Sequence, residues 1–79
     1  MHPIRYAIIL MLVKNKKMTV THIYNKLLLQ QPTISNHLKL MKDYGILITK
    51  RDGKNVYYSV NNKMVKKLFE TMRIDINDE

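Results

Sequence analysis

Residues 30–45 read QQPTISNHLKLMKDYG, and this stretch decides the fold. Pro32 suits a first helical turn, where its missing N–H is not needed. Ile34, Leu38 and Met41 recur at i, i+4 and i+7, which sets an apolar stripe along one side of a helix over residues 31–44. Opposite the stripe lie Thr33, Ser35, Asn36 and Lys39. These are short donors and acceptors plus one cation, with no carboxylate before Asp43. Gly45 closes the helix as a C′ residue. A helix buried on one side, with a compact hydrogen-bonding edge near its N-terminus, is what a DNA major groove accepts. An ordinary amphipathic helix with a solvated polar face has the same periodicity, so the flanking segments must decide.

Upstream, Pro3 fits the first turn of a helix in which Ile4, Ile8, Met11 and Leu12 form a stripe, and Lys14-Asn15-Lys16-Lys17 ends it. Met18-Thr19 is a short strand or loop. Thr19 or Thr21 can cap a helix over residues 20–28, with Val20, Ile23, Tyr24 and Leu27 facing inward. A connector, Leu29-Gln30, then leads into the helix over 31–44. Two helices so joined, the second polar on one side, form a helix-turn-helix.

Downstream, the period changes. Residues 46–50 and 56–60 are β-rich runs joined across Arg51-Asp52-Gly53-Lys54, and Asp-Gly between such runs signals a hairpin. With Asp52-Gly53 as the turn, Leu47 pairs with Tyr58 and Thr49 with Val56, on a face suited to lie on the helices. Lys50, Arg51 and Lys54 crowd the tip. Edge lysines also protect strands from aggregation, but beside a polar helix they suit phosphate contact. Asn61 or Asn62 can cap a last helix over 63–73, with Met64, Val65, Leu68, Phe69 and Met72 at apolar spacing. Either a partner subunit covers that surface or the helix folds back on the chain's own core. Residues 75–79 form an acidic tail beyond a single domain over 1–74.

The charge narrows the class of partner. The 79 residues carry a net +8. Thirteen of the fourteen basic residues and two acids precede residue 70, a net +11, while the last ten residues hold one base against four acids, −3. So basic a body implies a polyanion, either nucleic acid or an anionic membrane surface. The lysines are not gathered on one amphipathic helix, and the longest apolar run, residues 7–13, is too short to span a bilayer. Nucleic acid is favoured and no membrane is expected. There are no cysteines, hence no disulfide framework or thiolate metal site, which fits a reducing cytoplasm. No grouping of residues supports catalysis, so an enzyme is not expected.

The segments Gln31-Pro32-Thr33-Ile34-Ser35-Asn36-His37-Leu38, Gly45-Ile46-Leu47, and Lys50-Arg51-Asp52-Gly53-Lys54 with Tyr57-Tyr58 give the sequence a closer relation. They resemble, in order and spacing, the QPTVSxHL, GLV and RRxGR…YY pattern of the ArsR-type (arsenic-repressor-like) transcriptional regulators. His2-Pro3-Ile4-Arg5 is similar to the family's D-P-x-R opening. The resemblance covers residues 2–60 and implies a mainly α fold with a small β-hairpin (α+β), a winged helix-turn-helix. It further implies a homodimer on double-stranded DNA, reading successive major grooves with Gln31, Thr33, Ser35, Asn36, His37 and Lys39. Lys50, Arg51 and Lys54 would hold phosphates from the wing. For His37, packing or orienting the helix stands equal beside DNA contact.

Two departures from the family pattern matter. The cysteine positions of its metal sensors are taken by Thr19 and Thr21, and the last helix has Glu70 but no histidine. His2, His22 and His37 are scattered and match no ligand spacing, so no metal or other cofactor is expected. Family members also carry a helix ahead of the D-P-x-R segment that helps build the dimer. Here the dimer interface is expected to rest on Ile4, Ile8, Met64, Leu68, Phe69 and Met72. The reading is a cytoplasmic, nucleoid-associated repressor. Its rival is a winged-helix module that binds another protein through the apolar last helix. No small-molecule effector is identified.

Overall fold

The computed structural model describes residues 2–71, apart from the side chains of Leu68 and Phe69. The elements run α1 (Pro3–Asn15), β1 (Met18–Thr19), α2 (Val20–Leu27), α3 (Gln31–Asp43), β2 (Leu47–Asp52), β3 (Asn55–Val60) and α4 (Asn62–Thr71). The fold is the expected winged helix-turn-helix. Met18-Thr19 forms a strand, pairing antiparallel with β3 to make a three-stranded sheet of order β1-β3-β2.

Neighbouring side chains or turns satisfy most of the described helix ends, although Gln30 at the start of α3 makes no side-chain cap. His2 caps α1, its Nδ1 accepting from the Ile4 N–H at 3.1 Å. Thr19 Oγ1 accepts from the His22 N–H at 3.3 Å at the start of α2, and Asn61 Oδ1 accepts from the Met64 N–H at 3.3 Å at the start of α4. After α3, Gly45 takes φ +79, its N–H donates to the Lys42 carbonyl, and the Ile46 N–H donates to the Met41 carbonyl, both at 2.9 Å. That pair of bonds is a Schellman motif, and the positive φ is why glycine stands there. Two other connections adopt a positive φ without a glycine. Lys16 sits at φ 73, ψ −56, with the Lys17 N–H donating to the Asn15 carbonyl at 2.9 Å, a strained γ-turn. Leu28, in the helix-turn-helix turn, is left-handed at φ 56, ψ 40.

One apolar core ties the elements together. Ile8, Ile9 and Leu12 of α1, Met18, Ile23 of α2, and Ile34, Leu38 and Met41 of α3 are buried against Leu47, Val60 and Val65. No polar or charged side chain is buried with them among the described residues. The stripe Ile34, Leu38, Met41 is thus the inward side of α3, which leaves its polar edge outside. Val65 brings the first turn of α4 back onto this core, so that turn covers itself.

The hairpin departs from the expected register. Leu47 lies opposite Val60 and Thr49 opposite Tyr58, because the two-residue loop is Gly53-Lys54, not Asp52-Gly53. Gly53 alone takes a positive φ, +62, and Asp52 stays extended opposite Asn55. A loop with glycine first needs only one left-handed residue, whereas Asp52-Gly53 in a type I′ turn needs two. The pairing moves by two residues, so every side chain keeps its face.

Ile8 is also corrected. It is completely buried in the chain's own core and has no surface to offer a partner. Ile4 is half-buried against the same core. The outward side of α1 is instead Tyr6, Leu10 and Val13, at 50%, 52% and 54% exposure. Met64 is partly exposed, while Met72 and the acidic residues 75–79 lie outside the described residues, as do the side chains of Leu68 and Phe69.

Candidate nucleic-acid interface

The polar edge of α3 is held by the buried stripe beneath it. Gln31, Asn36 and Lys39 are exposed, whereas Thr33, Ser35 and His37 are half-buried on its flanks. Gln31 Nε2 donates to Ser35 Oγ at 3.0 Å, one helical turn on, so two of the groups assigned to base readout are ordered against each other. Lys39 Nζ lies 3.0 Å from Asp43 Oδ2, a pair exposed on both sides. An exposed i,i+4 pair stabilises a helix by only about 0.3–0.5 kcal/mol. Asp43 therefore orients Lys39 without holding it strongly, and an arriving phosphate or purine acceptor can replace the carboxylate.

His37 occupies the flank of α3 that faces α1. Arg5 Nε donates to its Nδ1 at 3.3 Å, and the His2 ring lies 4.7 Å away, centroid to centroid, tilted by 49°. His2 and His37, 35 positions apart, are therefore neighbours, contrary to the expectation that the histidines are scattered. The third group against them is a guanidinium, which opposes a cation, and among the described residues no group of three ligands forms. Desolvation holds the His37 pKa below the usual 6.5, with His2 and Arg5 pushing the same way by charge.

The wing supplies cations from β2 and its turn. Lys50, Arg51 and Lys54 are all exposed. Lys50 lies opposite Tyr57 and Arg51 opposite Val56, so the two consecutive cations leave opposite faces of the hairpin. On the Tyr57 face Lys17 joins Lys50. Lys17 Nζ sits 4.8 Å over the Tyr57 ring, and Lys17, Lys50, Arg51, Asp52 and Tyr57 line an open cleft of 210 Å³. A cation over an aromatic face is held there by the ring quadrupole.

Sequence reasoning left four features unassigned. Tyr57 and Arg5 appear there only as members of motifs. Alternation along β3 could have placed Tyr57 on the outer face, but nothing local pairs Arg5 with His37. The face Tyr6, Leu10, Val13 hides in the run AIILMLV, which is apolar in every direction. The left-handed Leu28 shows only as the absence of a glycine.

Comparison with known proteins agrees with this geometry. Residues 2–49 match the family described as bacterial regulatory protein, arsR family. The transcriptional repressor PagR of Bacillus anthracis is 38% identical over 71 residues, which cover 90% of this chain and 71% of PagR. An uncharacterized HTH-type transcriptional regulator of Methanocaldococcus jannaschii is 38% identical over 63 residues, or 78% of this chain and 71% of that protein. The crystal structure of PagR superposes with a TM-score of 0.77 over 90% of this chain and 80% of PagR. The chain belongs to the arsR family of bacterial regulatory proteins, and it is a DNA-binding transcriptional regulator built on a winged helix-turn-helix.

Proposed function

We propose that the chain acts as a homodimeric repressor that occludes a promoter, with α3 in the major groove and the wing on the phosphate backbone. The observation that carries this reading is the outer edge of α3. It presents Gln31, Asn36 and Lys39 to solvent above a fully buried stripe, with no carboxylate before Asp43. Base edges are read by such short donors and acceptors, and by lysine at guanine. Arg51, Lys50 and Lys54 then serve affinity, since phosphate contacts fix position on the duplex without reading sequence. Lys17, beside Tyr57, extends that phosphate-binding role from the run Lys14 to Lys17. Cytoplasmic action on the nucleoid follows from the same reading.

The homodimer rests on the outer face of α1. Tyr6, Leu10 and Val13 sit at i, i+4 and i+7, an apolar stripe on the side of α1 away from its own core. A two-fold axis beside such a stripe would bury it against its own copy, and a dimer would place two copies of α3 on one duplex. Met64, partly exposed at the start of α4, can extend the interface.

Selection from a randomised duplex pool tests the proposal. Enrichment of an inverted repeat, with affinity falling steeply as salt rises, supports it. Binding without enrichment would reduce α3 to a non-specific contact. No binding even at low salt would favour the protein-interaction module.

A further inference from the structure

The contact between α1 and α3 at His37 has a chemistry that DNA binding as described above does not use. Arg5 is always charged and every one of its guanidinium nitrogens is a donor, so a hydrogen bond from Arg5 Nε to His37 Nδ1 requires an unprotonated Nδ1. In a neutral imidazole the single proton then lies on Nε2, at the tip of the ring. Among the described residues no partner accepts from that N–H. The tilted His2 ring lies beside it, and is itself fixed by accepting from the Ile4 N–H through its own Nδ1.

We propose that Arg5 is a positioning residue for sequence readout, its guanidinium fixing the tautomer and orientation of the His37 ring so that the Nε2 N–H is a set donor to DNA. The inference rests on the reading of α3 as the recognition helix. It also gives the flank of α3 a dependence on α1, the helix whose outer face is assigned to the dimer. Acid breaks the arrangement. A proton on His37 Nδ1 turns the acceptor into a donor facing Arg5, and the groups that face the ring, His2 and Arg5, are both bases. Among the described residues no carboxylate is paired with it.

Arg5→Gln and Arg5→Met separate the hydrogen bond from the charge. Glutamine places its Nε2 amide donor where arginine has Nε, and both variants lose the same unit of charge. With a duplex taken from the selected pool and one of scrambled sequence, Arg5→Met should cut the preference for the selected duplex about 3- to 10-fold, the worth of one hydrogen bond. Arg5→Gln should keep it within about twofold by the same measure. In a His37→Gln background, which retains a donor near the ring tip, Arg5→Met should change the preference little, as a double-mutant cycle requires. Acidification should lower the preference in the wild type and not in His37→Gln.

Nitrogen-15 spectra of the free protein supply a readout that needs no DNA. Nδ1 of His37 should be unprotonated and hydrogen-bonded in the wild type and in Arg5→Gln, and should lose the hydrogen-bond shift in Arg5→Met. Equal effects of the two Arg5 variants on a wild type that does select a sequence, or a proton found on Nδ1, would overturn this inference alone. A wild type that prefers no sequence would overturn the DNA reading and this inference with it. Melting curves of each variant identify any loss that is merely unfolding.

Discussion

Replacing Leu28 with glycine should stabilise the protein. Leu28 lies in the turn between α2 and α3 at φ 56, ψ 40, and its side chain is 89% exposed. The side chain therefore contributes almost no burial, while its Cβ opposes the left-handed backbone at a cost of about 1–2 kcal/mol. Glycine removes that cost but frees the unfolded chain, which returns about 0.5–1 kcal/mol. The net expectation is a gain of about 0.5–1 kcal/mol. For a domain of this size each kcal/mol moves the midpoint by about 4–8 °C, so Leu28→Gly should melt about 2–8 °C higher. Leu28→Ala retains a Cβ and serves as the control, with a change within about 0.5 kcal/mol. Thermal or urea denaturation should be run at one fixed protein concentration, because a dimer makes the midpoint concentration-dependent. A Leu28→Gly midpoint equal to or below that of Leu28→Ala would refute the reasoning, since it would mean that the turn carries no left-handed strain to relieve.

Other perturbations separate the core, the interface and the titrating flank. Leu38→Ala, at a completely buried position in α3, should cost about 2–5 kcal/mol and leave so small a domain largely unfolded by circular dichroism near 37 °C. Leu10→Asp, on the outer face of α1, should leave the monomer's secondary structure unchanged and shift sedimentation from dimer to monomer; a wild type that is already monomeric would remove this face from the dimer proposal. His37 has its pKa lowered by desolvation and by the His2 and Arg5 charges, so folding favours the neutral ring. Its contribution is fully present above the unfolded value of 6.5 and is lost as pH falls below that toward the folded pKa. The wild-type melting midpoint should therefore fall more steeply than that of His37→Gln on acidification through that window, and parallel curves would contradict the assignment.

The sequence displayed those parts of the fold that local periodicity and end chemistry control. Ile34, Leu38 and Met41 mark the inward side of α3, Thr19 its predecessor's cap, and Gly45 its stop, because each acts within one or two turns. The wing register was less legible. Asp52-Gly53 and Gly53-Lys54 are both acceptable loops in sequence, and the choice turns on how many residues must adopt positive φ. On α1, Ile8 points into the core and Leu10 outward, yet both lie in a run with no polar side to orient it. The Arg5–His37 contact joins residues 32 positions apart, and only the packing of α1 against α3 brings them together.

The proposed division of labour gives base reading to α3 and phosphate binding to the wing. The most direct test is the affinity of Asn36→Ala, Lys39→Ala and Arg51→Ala for a selected and a scrambled duplex across a salt series. The two α3 variants should lose more on the selected duplex than on the scrambled one. Arg51→Ala should weaken both by similar factors and reduce the salt slope by about one. Equal losses for all three variants on both duplexes would contradict the account.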